Sequence, residues 1–227
     1  MDIELIHQPG NTAARVSLQK GEALTAESGA MIAMSGHMKI TTSTHKKKSG
    51  SLFKAAKRLI AGESIFLNHF EPGESHGEVI LGTNLAGDMM KMTLDQENLI
   101  VQGGSFLACT EGVDIDLGWQ GFKSILSGES VFWVNLKGSG QIIVSSFGAI
   151  YPIEVDGEYI VDTGHIVAFN ETLDFSITKA GKSWLHSFLG GEGLVCKFNG
   201  RGTVWCQSHN PRSFGSLLSP NLRARRA

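Results

Sequence analysis

Short runs in which apolar and polar residues alternate recur along the chain and predict β-strands. Residues 38–41, 113–117 and 173–177 all follow this pattern. Successive side chains point to opposite faces of a strand, so alternation with a period of two gives each segment one face that can pack on a core. The pattern therefore predicts a mainly β protein whose strands are half-buried.

Two sequence blocks occur three times each, in the same order. The first block, Gly-x-apolar-apolar-Ala-apolar, covers residues 29–34, 104–109 and 164–169. The second block, Gly-Glu followed by an apolar run, begins at Gly62, Gly128 and Gly191. This recurrence predicts three internal repeats of one β module.

Each predicted module also contains one short helix. Apolar residues at helical spacing lie within residues 52–60, 122–126 and 184–189, and a glycine follows each segment. Glycine is common just after the last turn of a helix, so these segments are predicted to be short helices that end there.

The repeats set the predicted domain boundaries. These are module 1 at residues 1–95 with a basic loop insertion at 44–50, module 2 at 96–155, module 3 at 156–211 and a basic C-terminal tail at 212–227. A module of about 60 residues buries little apolar surface alone, so the three should share a core. Sheet edges left open by this packing favour self-association, which predicts a closed cyclic homo-oligomer.

Three segments of the repeats resemble a known family. Residues 29–34, 62–68 and 128–133 are similar to the altered-inheritance-of-mitochondria family of mitochondrial biogenesis proteins, whose bacterial members are mostly uncharacterised. The resemblance extends over about residues 1–211. It implies a fold similar to the tryptophan RNA-binding attenuator protein, with modules of a short double-stranded β-helix type, and a homotrimer. It brings no enzymatic activity and no catalytic residue.

Composition narrows the protein class. The 41% hydrophobic and 19% charged fractions exclude a disordered tail protein. The chain has 28 Gly and only 5 Pro, which favours many tight turns. A formal net charge of −2 argues against a dedicated nucleic-acid binder.

The N-terminus and the cysteines predict a cytoplasmic protein. Residues 1–4 have neither a basic region nor an apolar stretch typical of a secretory signal, and no apolar run approaches the length of a transmembrane segment. The three cysteines, Cys109, Cys196 and Cys206, lack a Cys-x-x-Cys pair. Cys109 and Cys196 lie in apolar runs, so we expect buried, reduced thiols.

A double-stranded β-helix raises the question of a cupin-like metal site. Such a site needs two histidines one residue apart on a strand, and the chain has no His-x-His. His69 and His76, with glutamates nearby, are the candidate metal ligands, but they flank a Pro-Gly turn and are expected to point into solvent. The sequence therefore predicts no metal and no cofactor.

Acidic residues that recur in the repeats are predicted to be structural. Glu63, Glu129 and Glu192 all follow the glycine of the second block, and Asp174 matches Asp114. A role that recurs three times in one chain fits hydrogen bonding at a turn better than catalysis. No serine lies in a Gly-x-Ser-x-Gly elbow, so no catalytic residue is predicted.

Basic residues in the first module form a candidate anion-binding face. Its members are Lys46, Lys47, Lys48, Lys54, Lys57 and Arg58. Arg223, Arg225 and Arg226 add charge in the tail. The favoured interpretation is a solvated face, and the alternative is docking to RNA, an anionic lipid surface or an acidic protein.

The leading functional hypothesis is a cytoplasmic, non-enzymatic scaffold or binding protein that forms a homotrimer and binds an unknown protein partner. One alternative is a metal-dependent or small-molecule enzyme of cupin-like type. The other is an RNA or anionic-lipid binder that uses the basic face.

Overall fold

The computed structural model describes residues 1–43, 66–116, 132–179 and 194–222. Within these ranges the chain is mainly β, as predicted. The strands are β1 Asp2–Ile6, β2 Ala13–Leu18, β3 Leu24–Glu27, β4 Met31–Met34, β5 Lys39–Ser43, β6 Leu67–Glu71, β7 Gly77–Leu81, β8 Met89–Gln102, β9 Phe106–Thr110, β10 Val113–Asp116, β11 Trp133–Ser145, β12 Ile150–Asp162, β13 Ile166–Asn170, β14 Asp174–Lys179 and β15 Leu194–Gln207. The helical elements are η1 Gly103–Ser105, η2 Thr163–His165, α1 Pro211–Leu218 and η3 Ser219–Asn221.

The strands form two sheets. The smaller sheet has the order β1-β2-β7-β4. The larger has the order β12-β15-β13-β8-β11-β9-β3-β6-β5, with β10 also paired to β11 and β14 to β15. The pairings between these strands are antiparallel, so short turns can connect many of them.

Two long strand pairs dominate the larger sheet. β8 pairs with β11 from Met89↔Ser145 to Gln102↔Trp133. β12 pairs with β15 from Ile150↔Gln207 to Asp162↔Val195. One end of β11 also pairs with β9, and its other end pairs with β10. In the same way, one end of β15 pairs with β13 and its other end with β14. The N-terminal region has two shorter strand pairs instead of one long pair. β2 pairs with β7, which also pairs with β4, and β3 pairs with β6, which also pairs with β5.

The three alternating segments predicted as strands are β5, β10 and β14. In β10 the side chains of Val113 and Ile115 are buried while those of Asp114 and Asp116 are exposed, as the alternation predicts. In β5 most side chains are exposed instead. β5 is the last strand of the larger sheet, so fewer neighbours cover it.

Aromatic rings form the part of the core that lies between β11, β13, β14 and β15. Phe169 on β13 is fully buried, and its ring centroid lies 5.3 Å from Trp133, 4.8 Å from Phe175 and 5.1 Å from Phe198. These edge-on ring pairs add to the burial of apolar area. They tie β11, β13, β14 and β15 together.

All three cysteines are buried and none forms a disulfide, as expected. Cys109 belongs to the middle core cluster, whereas Cys196 and Cys206 belong to the aromatic one. Burial raises the pKa of Cys196 to about 12 and that of Cys206 to about 11, since a thiolate is poorly solvated there.

Two loops approach each other closely at Gly87 and Gly148, which form an isolated parallel bridge. The amide of Gly148 donates to the carbonyl of Ala86, and the amide of Asp88 donates to the carbonyl of Gly148, both at 3.0 Å. A Cβ atom at Gly87 would lie 1.8 Å from the carbonyl oxygen of Ser146. Glycine at position 87 is therefore required by the contact.

The sequence pattern does not predict α1, which begins one residue before the expected basic tail. Asn210 caps its N-terminus, because its Oδ1 accepts from the amide of Arg212 at 2.9 Å, and Pro211 opens the first turn. None of the helices in the described ranges has the length and hydropathy of a membrane-spanning segment.

Other features predicted for the fold stay predictions. The three short helices within 52–60, 122–126 and 184–189, and the basic loop at 44–50, lie outside the described residues. The three-repeat organisation, its module boundaries and the likeness to the attenuator protein also stay predictions.

Candidate functional site

A cleft of about 310 Å³ lies where several strands of the larger sheet end. It is lined by the end of β3 and its turn, the loop after β7, the β8–β9 connection, the ends of β11 and β15, and the start of α1. The lining residues are Glu27, Ser28, Gly29, Ala30, Gly82, Thr83, Asn84, Leu85, Gln102, Gly104, Ser105, Leu107, Ser145, Ser146, Phe147, Gln207 and Pro211.

Glu27 is the last residue of β3 and the acidic member of this wall. The turn after it is fixed by two backbone bonds: Ser28 donates to Phe66 at 2.8 Å, and Ala30 donates to Glu27 at 3.2 Å. Gly29 adopts a positive φ of 93°, which favours glycine. The backbone therefore holds Glu27 in a defined position at the cleft.

The carboxyl group of Glu27 is poorly solvated. Burial raises its pKa from the ordinary 4.5 to about 7. Within the described stretches of the chain its side chain makes no hydrogen bond or ion pair. Glu27 is half-buried, and its ionised form has no counter-charge among the described residues.

Gln102 and Asp162 occupy the same sequence position in the other two copies of the first block, two residues before its glycine. Gln102 Oε1 accepts from the amide of Gly104 at 2.8 Å, and Asp162 Oδ1 accepts from the amide of Gly164 at 2.7 Å. Both side chains therefore serve as local caps. Glu27 makes no such bond among the described residues, so its carboxyl group is not committed to the backbone.

Hydrogen bonds hold two other lining residues, Ser146 and Gln207, in place. Ser146 Oγ donates to the carbonyl of Gly148 at 2.8 Å. Gln207 Oε1 accepts from the amide of Phe147 at 2.8 Å, and its Nε2 donates to the carbonyl of Gly164 at 2.9 Å. These bonds fix the side chains in the folded chain, so the cleft is largely pre-formed.

The chemistry of the cleft suits binding better than catalysis. Among the described lining residues, Glu27 is the one titratable side chain, and the others offer hydroxyl, amide or apolar groups. A nucleophile activated by a histidine would need a second titratable partner in the wall. The cleft can instead receive a positively charged or hydrogen-bond-donating group.

Comparison with known proteins identifies the family. A family model described as mitochondrial biogenesis AIM24 matches residues 3–209. The chain belongs to the AIM24 family. The family resemblance predicted from the sequence is therefore confirmed.

Relatives of this AIM24 family member align with it over most of their length. It is 27% identical over 213 residues to an uncharacterised protein of Streptococcus pyogenes serotype M6, a match that covers 91% of this chain and 85% of that protein. It also matches the X-ray crystal structure of a Streptococcus pyogenes protein, with a TM-score of 0.81 and 25% identity. That match covers 97% of this chain and 99% of the other.

The expected position of His69 is wrong. Its ring is 9% exposed rather than in solvent, because β6 continues through it to Glu71 before the turn begins. The ring hydrogen-bonds to the hydroxyl groups of Thr25 at 3.0 Å and Ser43 at 2.7 Å. His69 thus joins β3, β5 and β6 in this AIM24 protein.

His76 is exposed, and its carbonyl oxygen hydrogen-bonds to His37 Nε2 at 2.9 Å. Over the described ranges, no group of three or more His, Cys, Asp or Glu residues could hold a metal ion. The structure thus gives no support to His69 and His76 as metal ligands.

The candidate anion-binding face falls in segments without a described structure. Lys46, Lys47, Lys48, Lys54, Lys57 and Arg58 lie outside the described residues, as do Arg223, Arg225 and Arg226. The basic face of this AIM24 family member stays a prediction.

Large side chains are exposed on β12, the edge strand of the larger sheet opposite to β5. Tyr151 is 44% exposed, Tyr159 45% and Ile160 56%. We call these three residues the β12 edge surface. Among the described strands, only β15 pairs with β12, so β12 is an edge strand of the described sheet.

Replacing Glu27 by glutamine is expected to stabilise the protein at pH 8 but not at pH 4. The folded-state pKa of Glu27, about 7, lies above its ordinary 4.5. The neutral carboxyl group is therefore compatible with the fold at low pH, and stability is lost as the pH rises from 4.5 through 7. At pH 8 we expect the variant to gain about 1–3 kcal/mol, measured by urea unfolding.

Glu97→Gln is the matched control for this pH dependence, because Glu97 is exposed on β8. It should change the free energy of unfolding little at either pH. An equal effect of Glu27→Gln at pH 4 and pH 8 would contradict the argument.

Proposed function

We propose that this AIM24 family member is a non-enzymatic scaffold or binding protein that assembles as a closed homotrimer. The observation that carries the proposal is the β12 edge surface, where exposed Tyr and Ile side chains lie on a strand that has a partner on one side only among the described strands. Such an edge is normally protected from open-ended pairing. Contact with another copy of the chain would protect it.

The pairing order of the strands supports three fused modules. In the middle and C-terminal regions a long strand pair is flanked by two short strands: β8/β11 with β9 and β10, and β12/β15 with β13 and β14. In the N-terminal region, β2/β7 and β3/β6 together take the place of the long pair, with β4 and β5 beside them. Three similar units in one chain suit a compact, cyclic assembly.

Charged residues on β12 are already engaged within the chain. Asp156 accepts a hydrogen bond from Arg201 at 3.0 Å, and Glu158 pairs with Lys197 at 2.6 Å. Both partners lie on β15, and the paired side chains are themselves exposed: Asp156 is 76% and Glu158 56% exposed. A contact that buries Tyr159 and Ile160 gains apolar area, and it avoids the cost of desolvating these ion pairs where they stay at its solvated rim.

The proposed partner beyond the trimer is an unidentified protein, and the proposed location is the cytoplasm. Neither the cupin-like enzyme nor the RNA- or lipid-binding alternative gains an observation from the described residues. Both therefore rank below the scaffold.

Native mass spectrometry is expected to give three times the chain mass of 24.4 kDa at micromolar concentration. The double variant Tyr159→Ser/Ile160→Ser should raise the dissociation constant of the trimer at least about tenfold, since two apolar side chains lose their burial. Its circular dichroism spectrum should match that of the unaltered protein.

Ile32→Ser provides the control, because Ile32 is 62% exposed on β4 in the smaller sheet. It should leave the trimer intact. A monomer of the unaltered protein throughout the micromolar range would overturn the assembly, and a double variant as tightly trimeric as the original would exclude the β12 edge surface from the interface.

A further inference from the structure

We propose that the cleft beside Glu27 binds a small primary amine, with its ammonium group on the Glu27 carboxylate and its short carbon chain along the apolar wall. This proposal is independent of the trimer, since every residue that carries it belongs to one chain. It assigns a ligand class to a region that contains no predicted site residue.

The size of the cleft fits one small molecule. Its volume of about 310 Å³ lies near the lower end of the range for small-molecule sites, about 300–1,000 Å³. The hydrogen bonds of Ser146 and Gln207 hold these two lining side chains in place in the folded chain. Little ordering is then needed when a ligand enters, which favours binding.

The charge of the cleft selects a cation. The carboxylate of Glu27 has no positive partner among the described residues, and no Lys, Arg or His lies in the described wall. An ammonium group would supply the missing opposite charge and could donate hydrogen bonds to the carboxylate. An anionic ligand would be repelled by the ionised carboxylate of Glu27.

The remaining wall suits a short organic chain rather than a bare metal ion. The half-buried side chains of Leu85 and Phe147 contribute apolar surface, and the buried Ala30 and Leu107 lie behind them in the lining. A divalent metal ion would need several oxygen ligands, whereas the described wall offers one carboxyl group. An amine with a few carbon atoms can use both the charge and the apolar surface.

Neighbouring titratable groups lie outside the cleft. His69, on the strand beside β3, is bonded to Thr25 and Ser43. The ring of His209 packs against Phe147 at 5.0 Å, and its Nδ1 hydrogen-bonds to Ser208. Asp88 and His165 hydrogen-bond to the lining residues Ser146 and Gln207. None of these four titratable residues belongs to the described wall, so Glu27 is the group whose ionisation should govern binding of an amine.

The test uses n-butylamine with two matched molecules, 1-butanol and butyrate, which replace the ammonium group by a neutral and an anionic one. Ligand-observed saturation-transfer NMR on the full chain gives the dissociation constant of each. At pH 8 we expect saturable binding of butylamine, and binding of butanol and butyrate at least about tenfold weaker. Butylamine should bind at least about tenfold more weakly at pH 5, where Glu27 is protonated.

Glu27→Gln should weaken butylamine binding at least about tenfold at pH 8 and remove its pH dependence, whereas Glu97→Gln should bind as the unaltered protein does. Glu27→Asp keeps the charge and should retain some of the affinity if the glutamine variant does not fold.

The proposal fails if butylamine shows no saturable binding, if butanol binds equally well, or if Glu27→Gln binds unchanged. Displacement of butylamine by calcium chloride at equal ionic strength, but not by sodium chloride, would also overturn it in favour of a metal site. Each result is read from the ligand alone, so failure of the trimer would not affect it.

Discussion

Replacing Phe169 by alanine is expected to lower the free energy of unfolding by about 3–5 kcal/mol. The side chain is 0% exposed and lies among the rings of Trp133, Phe175 and Phe198. β13, which carries it, pairs with both β8 and β15, so the surrounding backbone cannot easily collapse into the space. Most of the cavity should therefore remain.

Urea unfolding at neutral pH measures this loss, with the slope of the transition expected to stay constant. Phe169→Leu should cost less, because leucine fills much of the volume. Phe214→Ala on α1 is the exposed aromatic control, since Phe214 is 38% exposed. A loss below about 1 kcal/mol for Phe169→Ala would show that the cluster repacks freely.

Replacing Gly87 by alanine should cost about 3 kcal/mol or more, because several backbone hydrogen bonds, each worth about 0.5–1.5 kcal/mol, would break as the two loops separate. The added Cβ would lie 1.8 Å from the carbonyl oxygen of Ser146 and 2.7 Å from its carbonyl carbon. Both are backbone atoms, so no side-chain rotation can relieve the clash.

Gly36→Ala is the matched control for this substitution, because a Cβ there meets no atom within 4 Å. The melting temperature of Gly36→Ala should remain close to that of the unaltered protein, while that of Gly87→Ala should fall by several degrees. Similar melting temperatures for both variants would mean that the loops can separate at little cost.

Alternation of apolar and polar residues predicts a strand well when one face of that strand packs on the core and the other faces solvent. β10 shows this, since Val113 and Ile115 are buried and the aspartates between them are exposed. The two long strand pairs are not predicted by alternation. β12 runs for 13 residues although Gly157 and several charged residues interrupt its pattern, because β15 pairs with it along its whole length. Such pairing is not visible in a local window of sequence.

The candidate site escapes prediction for a related reason. The recurring pattern lies within the three copies of the first block, whereas Glu27 lies two residues before the glycine that begins the first copy. Aligning the three blocks places Glu27 beside Gln102 and Asp162, and this difference is the available signal. Only the structure distinguishes the two capping side chains from the uncommitted carboxyl group of Glu27.

His69 illustrates the opposite error. A Pro-Gly pair three residues later suggests a solvent-exposed turn, yet two hydroxyl groups on neighbouring strands hold the ring inside the sheet. Thr25 and Ser43 are far from His69 in sequence, so this environment depends on the tertiary fold.

The buried cysteines give the chain an internal reporter of opening. Cys109 lies in the middle of the fold, and Cys196 and Cys206 lie beside the aromatic rings. Thiol reagents attack the thiolate, and the raised pKa of Cys196 and Cys206 leaves almost none of it at neutral pH while the chain is folded. The order in which the three thiols become alkylated therefore records which region of the sheet opens first.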